Sequence, residues 1–155
     1  MFGSELAAIT AAGGGLVVGT VSDDGEPRAV RAWAAVVTPG REDRLRVVMS
    51  ADDPVSVANL ATGRVAVTIA DVRTFRSVQM KGTVASTGAP TAADLEQMRI
   101  QADTFLTAVH ETDGNPLESL RRILPNEVVA FELVVEQVYD QTPGPDAGAA
   151  LVARR

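Results

Sequence analysis

The 155-residue sequence contains no cysteine, a single histidine and few aromatic side chains, which make up 4% of the chain. The absence of cysteine excludes disulfides, thiolate zinc sites, iron–sulfur clusters and a cysteine nucleophile. The lone His110 excludes any site that takes two imidazoles from one chain. No run approaches the ~18 consecutive apolar residues of a transmembrane helix, and the N-terminal segment carries Glu5 where a signal peptide carries a base. We therefore expect a soluble, cytoplasmic protein with no membrane partner.

Basic residues are also scarce: 14 Lys and Arg stand against 20 Asp and Glu, for a net charge of −6. Because there is no dense basic run, we expect no nucleic-acid partner. The acidic pairs Asp23-Asp24 and Asp52-Asp53 fall at predicted turn and helix-cap positions, so no metal site is predicted. His110 lies near the end of a predicted helix, where a solvated histidine interacts favourably with the helix dipole. No Ser/His/Asp spacing identifies catalytic residues.

Short apolar runs separated by turn residues predict six strands and four helices. The strands are expected at residues 16–21, 27–37, 44–50, 64–70, 75–87 and 126–139. Asp53 and Pro54 are expected to begin a helix that runs to about Ala61, and Thr91 with Asp94 forms a capping-box pattern before the longest helix. A short first helix (5–12) and one opened by Asn115 complete the set.

Six short strands within one domain favour a closed or nearly closed antiparallel barrel, because closure removes exposed edges. A doubly wound parallel sheet would need helices between nearly all strands, and these are missing. We predict a mainly β domain over residues 1–140 with short flanking helices and a helical excursion at 91–124. The tail, 141–155, is predicted to be irregular, since Pro143, Gly144 and Pro145 disfavour regular structure.

Alternation along the second strand predicts which side chains face the barrel interior. The interior set is Val30, Ala32, Ala34 and Val36, and the exterior set is Ala29, Arg31, Trp33, Ala35 and Val37. An exterior surface this apolar predicts association into a dimer. Arg28 and Arg31 are three residues apart and should point to opposite faces, so they cannot grip one phosphate unless the strand twists or bulges.

The fifth strand places a row of polar side chains on its outer face: Ser77, Gln79, Lys81 and Thr83. The row fits an ordinary solvated face, and it also fits a set of donors for a polar, anionic ligand.

The order of five segments carries a family resemblance: Gly25-Glu-Pro-Arg-Ala-Val30, Leu45-Arg-Val-Val-Met-Ser50, Val55-Ser-Val-Ala-Asn-Leu60, Thr62-Gly-Arg-Val-Ala-Val67 and Thr74-Phe-Arg-Ser-Val-Gln-Met-Lys-Gly82. In this order the chain resembles the pyridoxamine 5'-phosphate oxidase-like, FMN-binding split-barrel proteins, and within them an uncharacterised bacterial subgroup. The resemblance covers about residues 5–87 and the last strand. It implies a six-stranded antiparallel split barrel that forms homodimers, with flavin mononucleotide (FMN) in grooves between the subunits.

The resemblance also implies a set of cofactor contacts, which fall on Arg28, Ala29, Val30, Arg31, Trp33, Met49, Ser50, Ser77, Gln79 and Lys81. The family's phosphate-gripping Ser and Lys are replaced here by Asp52-Asp53-Pro54, and carboxylates disfavour a phosphate at close range. Arg31 or Lys81 could replace the lost grip. The cofactor expectation is therefore FMN, with another flavin-like cofactor or none as alternatives.

Two functions follow from the resemblance. The first is a flavin-dependent oxidoreductase that acts on a small molecule at the dimer interface. The alternative is a cofactor-free split-barrel homodimer that binds a small ligand or serves as a structural module.

Overall fold

Six long antiparallel strands form one sheet that closes into a barrel, as the sequence predicts. The computed structural model describes residues 2–153. Its strands are β1 (Gly15–Val21), β2 (Pro27–Thr38), β3 (Arg41–Ser50), β4 (Arg64–Ala70), β5 (Ser77–Gly88), β6 (Val128–Asp140) and β7 (Ala150–Ala153). Its helices are α1 (Phe2–Ala11), α2 (Pro54–Asn59), α3 (Ala92–Asp113) and α4 (Leu117–Leu120), with 3₁₀ turns at Leu60–Thr62 and Arg121–Ile123.

The strands are ordered β3-β2-β1-β4-β5-β6-β7, and pairing between β3 and β6 closes the barrel. The interior is filled by apolar side chains from all six long strands. The largest fully buried ones are Phe131, Leu45, Met49, Ile69, Met80 and Leu133. β6 passes close to the backbone of β5 at Gly82, since a Cβ there would overlap the carbonyl oxygen of Val134. Among residues 2–153, no helix combines the length and apolar character needed to cross a membrane.

The tail differs from the prediction at its end. Residues 141–149 are irregular, as expected, but Ala150–Ala153 forms β7 against Gln137–Tyr139 of β6. The reason is that β3 pairs with β6 only as far as Val134, so the second half of β6 has a free edge on that side. β7 covers part of that edge, and the predicted irregular tail is corrected accordingly.

A β-bulge in β2 overturns part of the predicted alternation. The register with β3 shifts between Ala32 and Ala34, so Trp33 is an extra residue that has no partner on β3. Side chains after Trp33 therefore point to the opposite side of the sheet from the one that strict alternation predicts. The reversal moves four residues to the side opposite from the prediction: Ala34, Ala35, Val36 and Val37. Gln101 holds the bulged segment, since its side chain accepts from the Ala35 N–H at 3.0 Å and donates to the Ala35 carbonyl at 3.2 Å.

Helix α3 covers the bulge from outside the barrel. Trp33 is only 3% exposed and packs with Ala102 and Leu106, and its ring meets Phe105 edge to face at 6.3 Å. The predicted capping box is present, with Thr91 and Asp94 bonding each other's backbone N–H groups. Because α3 buries Trp33 and Ala35 faces inward, the predicted apolar exterior of β2 is not a free surface.

Two element boundaries shift for local reasons. Phe75, predicted to begin the fifth strand, has φ of +60° and donates its N–H to Asp71, so it belongs to a turn and β5 begins at Ser77. Asn115, predicted to cap the short helix, instead places its carbonyl 2.7 Å from Nδ1 of His110. Helix α4 begins at Leu117 without a side-chain cap.

Candidate functional site

The barrel is split where β2 runs past the end of β3. β1 pairs with β2 down to Pro27, whereas β3 pairs with β2 only from Ala32 onward. Residues 27–31 therefore have a strand neighbour on one side only, and within residues 2–153 no strand pairs with their other backbone edge. The chain leaves β3 at Ser50 and turns into α2, and this divergence opens a groove of about 360 Å³. We call it the split groove; its lining residues are Val30, Arg31, Trp33, Ser50, Asp52, Asp53, Ile123 and Pro125.

Four of the predicted site residues meet in the split groove: Val30, Arg31, Trp33 and Ser50. Arg31 is exposed, and its guanidinium carbon lies 5.7 Å from the centre of the Phe105 ring. No carboxylate within the described residues forms an ion pair with Arg31. Its charge is therefore available to an anionic group of a ligand.

Trp33 contributes an unusual polar atom to this region. Its indole Nε1 is buried and has no hydrogen-bond partner among the described residues. A buried donor without a partner costs about 1–3 kcal/mol, and such groups are uncommon in folded proteins. Trp33, which carries this unpaired donor, lines the split groove.

Arg28 lies on the opposite face of β2 from Arg31, as the alternation predicts. Its Nε lies 3.0 Å from Oδ2 of Asp53 and its Nη2 lies 3.4 Å from Oδ1. The same carboxylate accepts from the Ser56 hydroxyl at 2.6 Å and from the Val55 N–H at 3.3 Å. The hydrogen bond from Ser56, followed by that from Arg28, holds the pKa of Asp53 below its ordinary value. Asp53 is therefore ionised, and its carboxylate accepts hydrogen bonds from three residues: Arg28, Val55 and Ser56.

Asp52 has a different role in the same wall. Its carboxylate accepts from the backbone N–H groups of Asn126, at 3.0 and 3.1 Å, and of Glu127, at 2.9 Å. These bonds join the end of β3 to the turn that leads into β6. Both acidic residues of the Asp52-Asp53 pair are thus engaged by the chain itself.

Only part of the predicted polar row on β5 is free to contact a ligand. Ser77 is buried: its N–H donates to the Thr142 hydroxyl at 3.1 Å, and its carbonyl accepts from the backbone of Gln141. Gln79 donates to the Thr68 hydroxyl at 3.1 Å. Lys81 is exposed, with Nζ 4.9 Å from the centre of the Tyr139 ring. None of these three residues lines the split groove.

Strand register nevertheless places predicted contacts from β2 and from β5 on one outer face of the sheet. Arg31, Val17, Thr68 and Gln79 stand opposite one another across β2, β1, β4 and β5, and Ala29, Gly19, Ala66 and Lys81 form the next row. Side chains in these rows are exposed or half-buried, including Val17 at 41%. We call this surface of eight residues the flat face. It joins the predicted contacts Ala29 and Arg31 to Gln79 and Lys81 through small, mostly apolar residues.

The side chain of Met49, another predicted contact, does not reach the split groove. Its side chain is fully buried in the barrel interior, because it follows Val47 on the inward side of β3. Only its backbone could contact a ligand. Conversely, Ile123 and Pro125 line the split groove and were not predicted. They reach it because Ser50 pairs with Val128, a closure of the barrel that no local sequence pattern shows.

No group of three or more acidic or histidine side chains within residues 2–153 is arranged to hold a metal ion. No family model matches the sequence, and no curated protein is significantly similar to it.

Solved structures share the fold at low identity. HupZ of Group A Streptococcus superposes with a TM-score of 0.56 at 15% identity, covering 96% of this chain and 100% of that one. An F420 reductase has a TM-score of 0.55 at 16% identity, covering 84% of this chain and 93% of that one. A Clostridium acetobutylicum protein related to general stress protein 26 of B. subtilis, of the pyridoxinephosphate oxidase family, has a TM-score of 0.53 at 15% identity, covering 92% and 89%. The chain has the split-barrel fold of the pyridoxamine 5'-phosphate oxidase-like proteins.

Proposed function

We propose that the split groove binds the ring of a flavin-type cofactor, FMN being the first candidate, and that the chain is a small-molecule oxidoreductase. The observation that carries the proposal is the open backbone edge of residues 27–31 beside the unpaired Arg31. An F420 reductase with a similar fold supports the choice of cofactor class. A cytoplasmic location stays a prediction.

The groove's residues suit a flat ring with polar edges. Free backbone groups on β2 can donate to and accept from ring carbonyls and nitrogens, as a neighbouring strand would. Arg31 supplies a cation that stabilises negative charge on a reduced ring. A bound flavin would itself carry the hydride or electron pair, so the chain needs to orient the ring and exclude water rather than supply an acid–base pair.

The terminal phosphate of FMN fits less well. Arg28, the nearest predicted grip, is already paired with Asp53. Arg31 and Lys81 remain as cations without an ion pair among the described residues, and both lie on the flat face. Phosphate binding in this proposal relies on them.

We place a homodimer interface on the flat face. Small side chains such as Gly19, Ala66 and Ala29 allow two sheets to approach closely, and Val17 is exposed there. A second copy packed on this face would bring its Lys81 and Gln79 toward the Arg31 side of the first. Arg31 at the groove and Lys81 on β5 would then act together across the interface.

Absorption spectroscopy and fluorescence titration test the cofactor. Purified protein should be yellow, or should quench added FMN with about micromolar affinity or tighter. Arg31→Ala should weaken binding, while Arg99→Ala, which removes an exposed arginine on α3 paired with Glu96, should not. Colourless protein that binds neither FMN, FAD nor a deazaflavin would exclude the proposal.

A second candidate is a cofactor-free homodimer that binds another small ligand or serves as a structural module. It is favoured by Asp53, which lines the groove and whose carboxylate already accepts hydrogen bonds from Arg28 and Ser56. Those two donors are therefore not free for a ligand. A dimer in light scattering that binds no flavin would select this candidate.

A further inference from the structure

A second cavity, of about 440 Å³, lies outside the barrel at one end of the flat face. We call it the face pocket. Its floor is formed by small residues of β1, β4 and β5: Gly19, Ala66 and Gly82. Its walls carry three charged side chains: Arg64, Lys81 and Glu136. The small floor leaves room for a ligand group, and the walls supply charge that can hold it.

Two of the wall residues, Arg64 and Lys81, are neighbouring cations. Lys81 pairs directly with Ala66, and Arg64 lies two residues before Ala66 on the same side of β4. Arg64 and Lys81 are therefore diagonal neighbours, about 7–8 Å apart. Both are exposed, and within residues 2–153 neither forms an ion pair with a carboxylate. Because two positive charges at this separation repel each other, an anion between them would stabilise the pair.

The acidic residue of the walls, Glu136, does not neutralise this pair. Its Oε1 accepts from the Thr83 hydroxyl at 2.7 Å, and no ion pair joins it to Arg64 or Lys81 in the described part of the chain. Nζ of Lys81 lies against the Tyr139 ring, a contact that provides no hydrogen-bond acceptor in the plane of its donors. An arginine and a lysine that line one small cavity form the donor set of an oxyanion site.

We infer that the face pocket binds an oxyanion, a phosphate or a carboxylate, and that Arg64 joins Lys81 in holding it. The oxyanion has two possible sources: the phosphate of FMN, or an anionic group of a free small molecule. With FMN as the source, the inference rests on the proposed function. It then adds Arg64 to Arg31 and Lys81, the two cations on which phosphate binding relies in the proposed dimer.

Thermal melting tests the pocket without any flavin. Inorganic phosphate at about 50 mM should raise the Tm of the wild-type protein by about 2 °C or more over chloride at equal ionic strength. Arg64→Gln should remove at least half of that rise, and Arg64→Lys, which restores the charge, should keep most of it. Arg99→Gln removes an exposed arginine on α3, outside the pocket, and should leave the rise unchanged. No rise in wild type, or an equal rise in Arg64→Gln, would overturn the inference.

Glu136→Gln tests the pocket in the opposite direction. It removes a carboxylate from the wall, while its amide oxygen can still accept from the Thr83 hydroxyl. The rise in Tm with phosphate should be larger than in wild type, because a like charge no longer opposes the oxyanion. Glu96→Gln, which removes an exposed carboxylate on α3, is the control and should not change the rise. Equal rises in Glu136→Gln and Glu96→Gln would place the phosphate outside the pocket and overturn the inference.

FMN and riboflavin distinguish the two sources of the oxyanion. If the source is the cofactor phosphate, Arg64→Gln should weaken FMN about tenfold in fluorescence titration and riboflavin by less than about threefold. Unchanged affinity for both flavins, with a reduced phosphate effect on Tm, would assign the pocket to a free oxyanion. Equal weakening of both flavins would overturn the inference, because a structural change would then explain it. If no variant binds any flavin, the proposed function fails and the melting data alone decide the inference.

Discussion

The Asp94 carboxylate provides a quantitative prediction about the helix that covers the site. Arg46 grips it in a bidentate pair, with Nε to Oδ1 at 3.1 Å and Nη2 to Oδ2 at 2.6 Å, and the N–H of Thr91 donates to it at 2.8 Å. The Asp94 side chain is 10% exposed. Arg46 first, and then the Thr91 backbone and hydroxyl, lower the pKa of Asp94 from 3.8 to about 2.

The size of this pKa shift gives the expected loss of stability when Asp94 is replaced. At 1.36 kcal/mol per pKa unit, it corresponds to about 2 kcal/mol of stability. Because the folded pKa is the lower one, the contribution is complete at pH values above the unfolded pKa of 3.8 and is lost as the pH falls toward 2. Asp94→Asn should therefore lower the free energy of unfolding by about 2 kcal/mol at pH 7, and by progressively less in acid.

Urea unfolding followed by circular dichroism, at steps from pH 7 to pH 2, measures both quantities. The control is Glu96→Gln, which lies two residues further along the same helix; it breaks an exposed pair with Arg99 and should cost far less. An equal loss in the two variants at pH 7 would refute the reasoning. A gap between wild type and Asp94→Asn that does not shrink in acid would refute it as well.

Three further predictions concern the barrel, the cofactor and the dimer. Gly82→Ala should cost about 3 kcal/mol or more in urea unfolding, because its Cβ would overlap the β6 backbone, whereas Gly88→Ala, which meets nothing within 4 Å, should be neutral. Arg31→Ala and Lys81→Ala should each weaken FMN by about 1–3 kcal/mol in fluorescence titration, and unchanged affinity in both would mean that the phosphate lies elsewhere. Light scattering should give twice the 16.2 kDa chain mass. Val17→Lys should shift that mass toward the monomer if the flat face is the interface.

Local patterns were sufficient for most elements. The short apolar run of β4 predicted its bounds, Arg64–Ala70, and the Thr91–Asp94 spacing predicted the capping box of α3. The opposite facing of Arg28 and Arg31 likewise follows from the two-residue period of a strand, because no bulge separates them. Such features depend on neighbours in sequence, which is why the sequence alone suffices for them.

The site depends on contacts between residues distant in sequence. The bulge at Trp33 reversed the sides of the residues after it, and α3 buried the tryptophan that alternation had placed on a free surface. The register of β1, β4 and β5 then assembled the flat face.

The sequence by itself determined the strands, the main helix and the acidic pair Asp52-Asp53 that precedes α2. Only the tertiary structure decided that one of these, Asp53, faces Arg28 while Arg31 stays unpaired. The physical reason is that a charge's partner is set by which elements come together, and the contact between β2 and the start of α2, across 25 residues, leaves no trace in the local pattern.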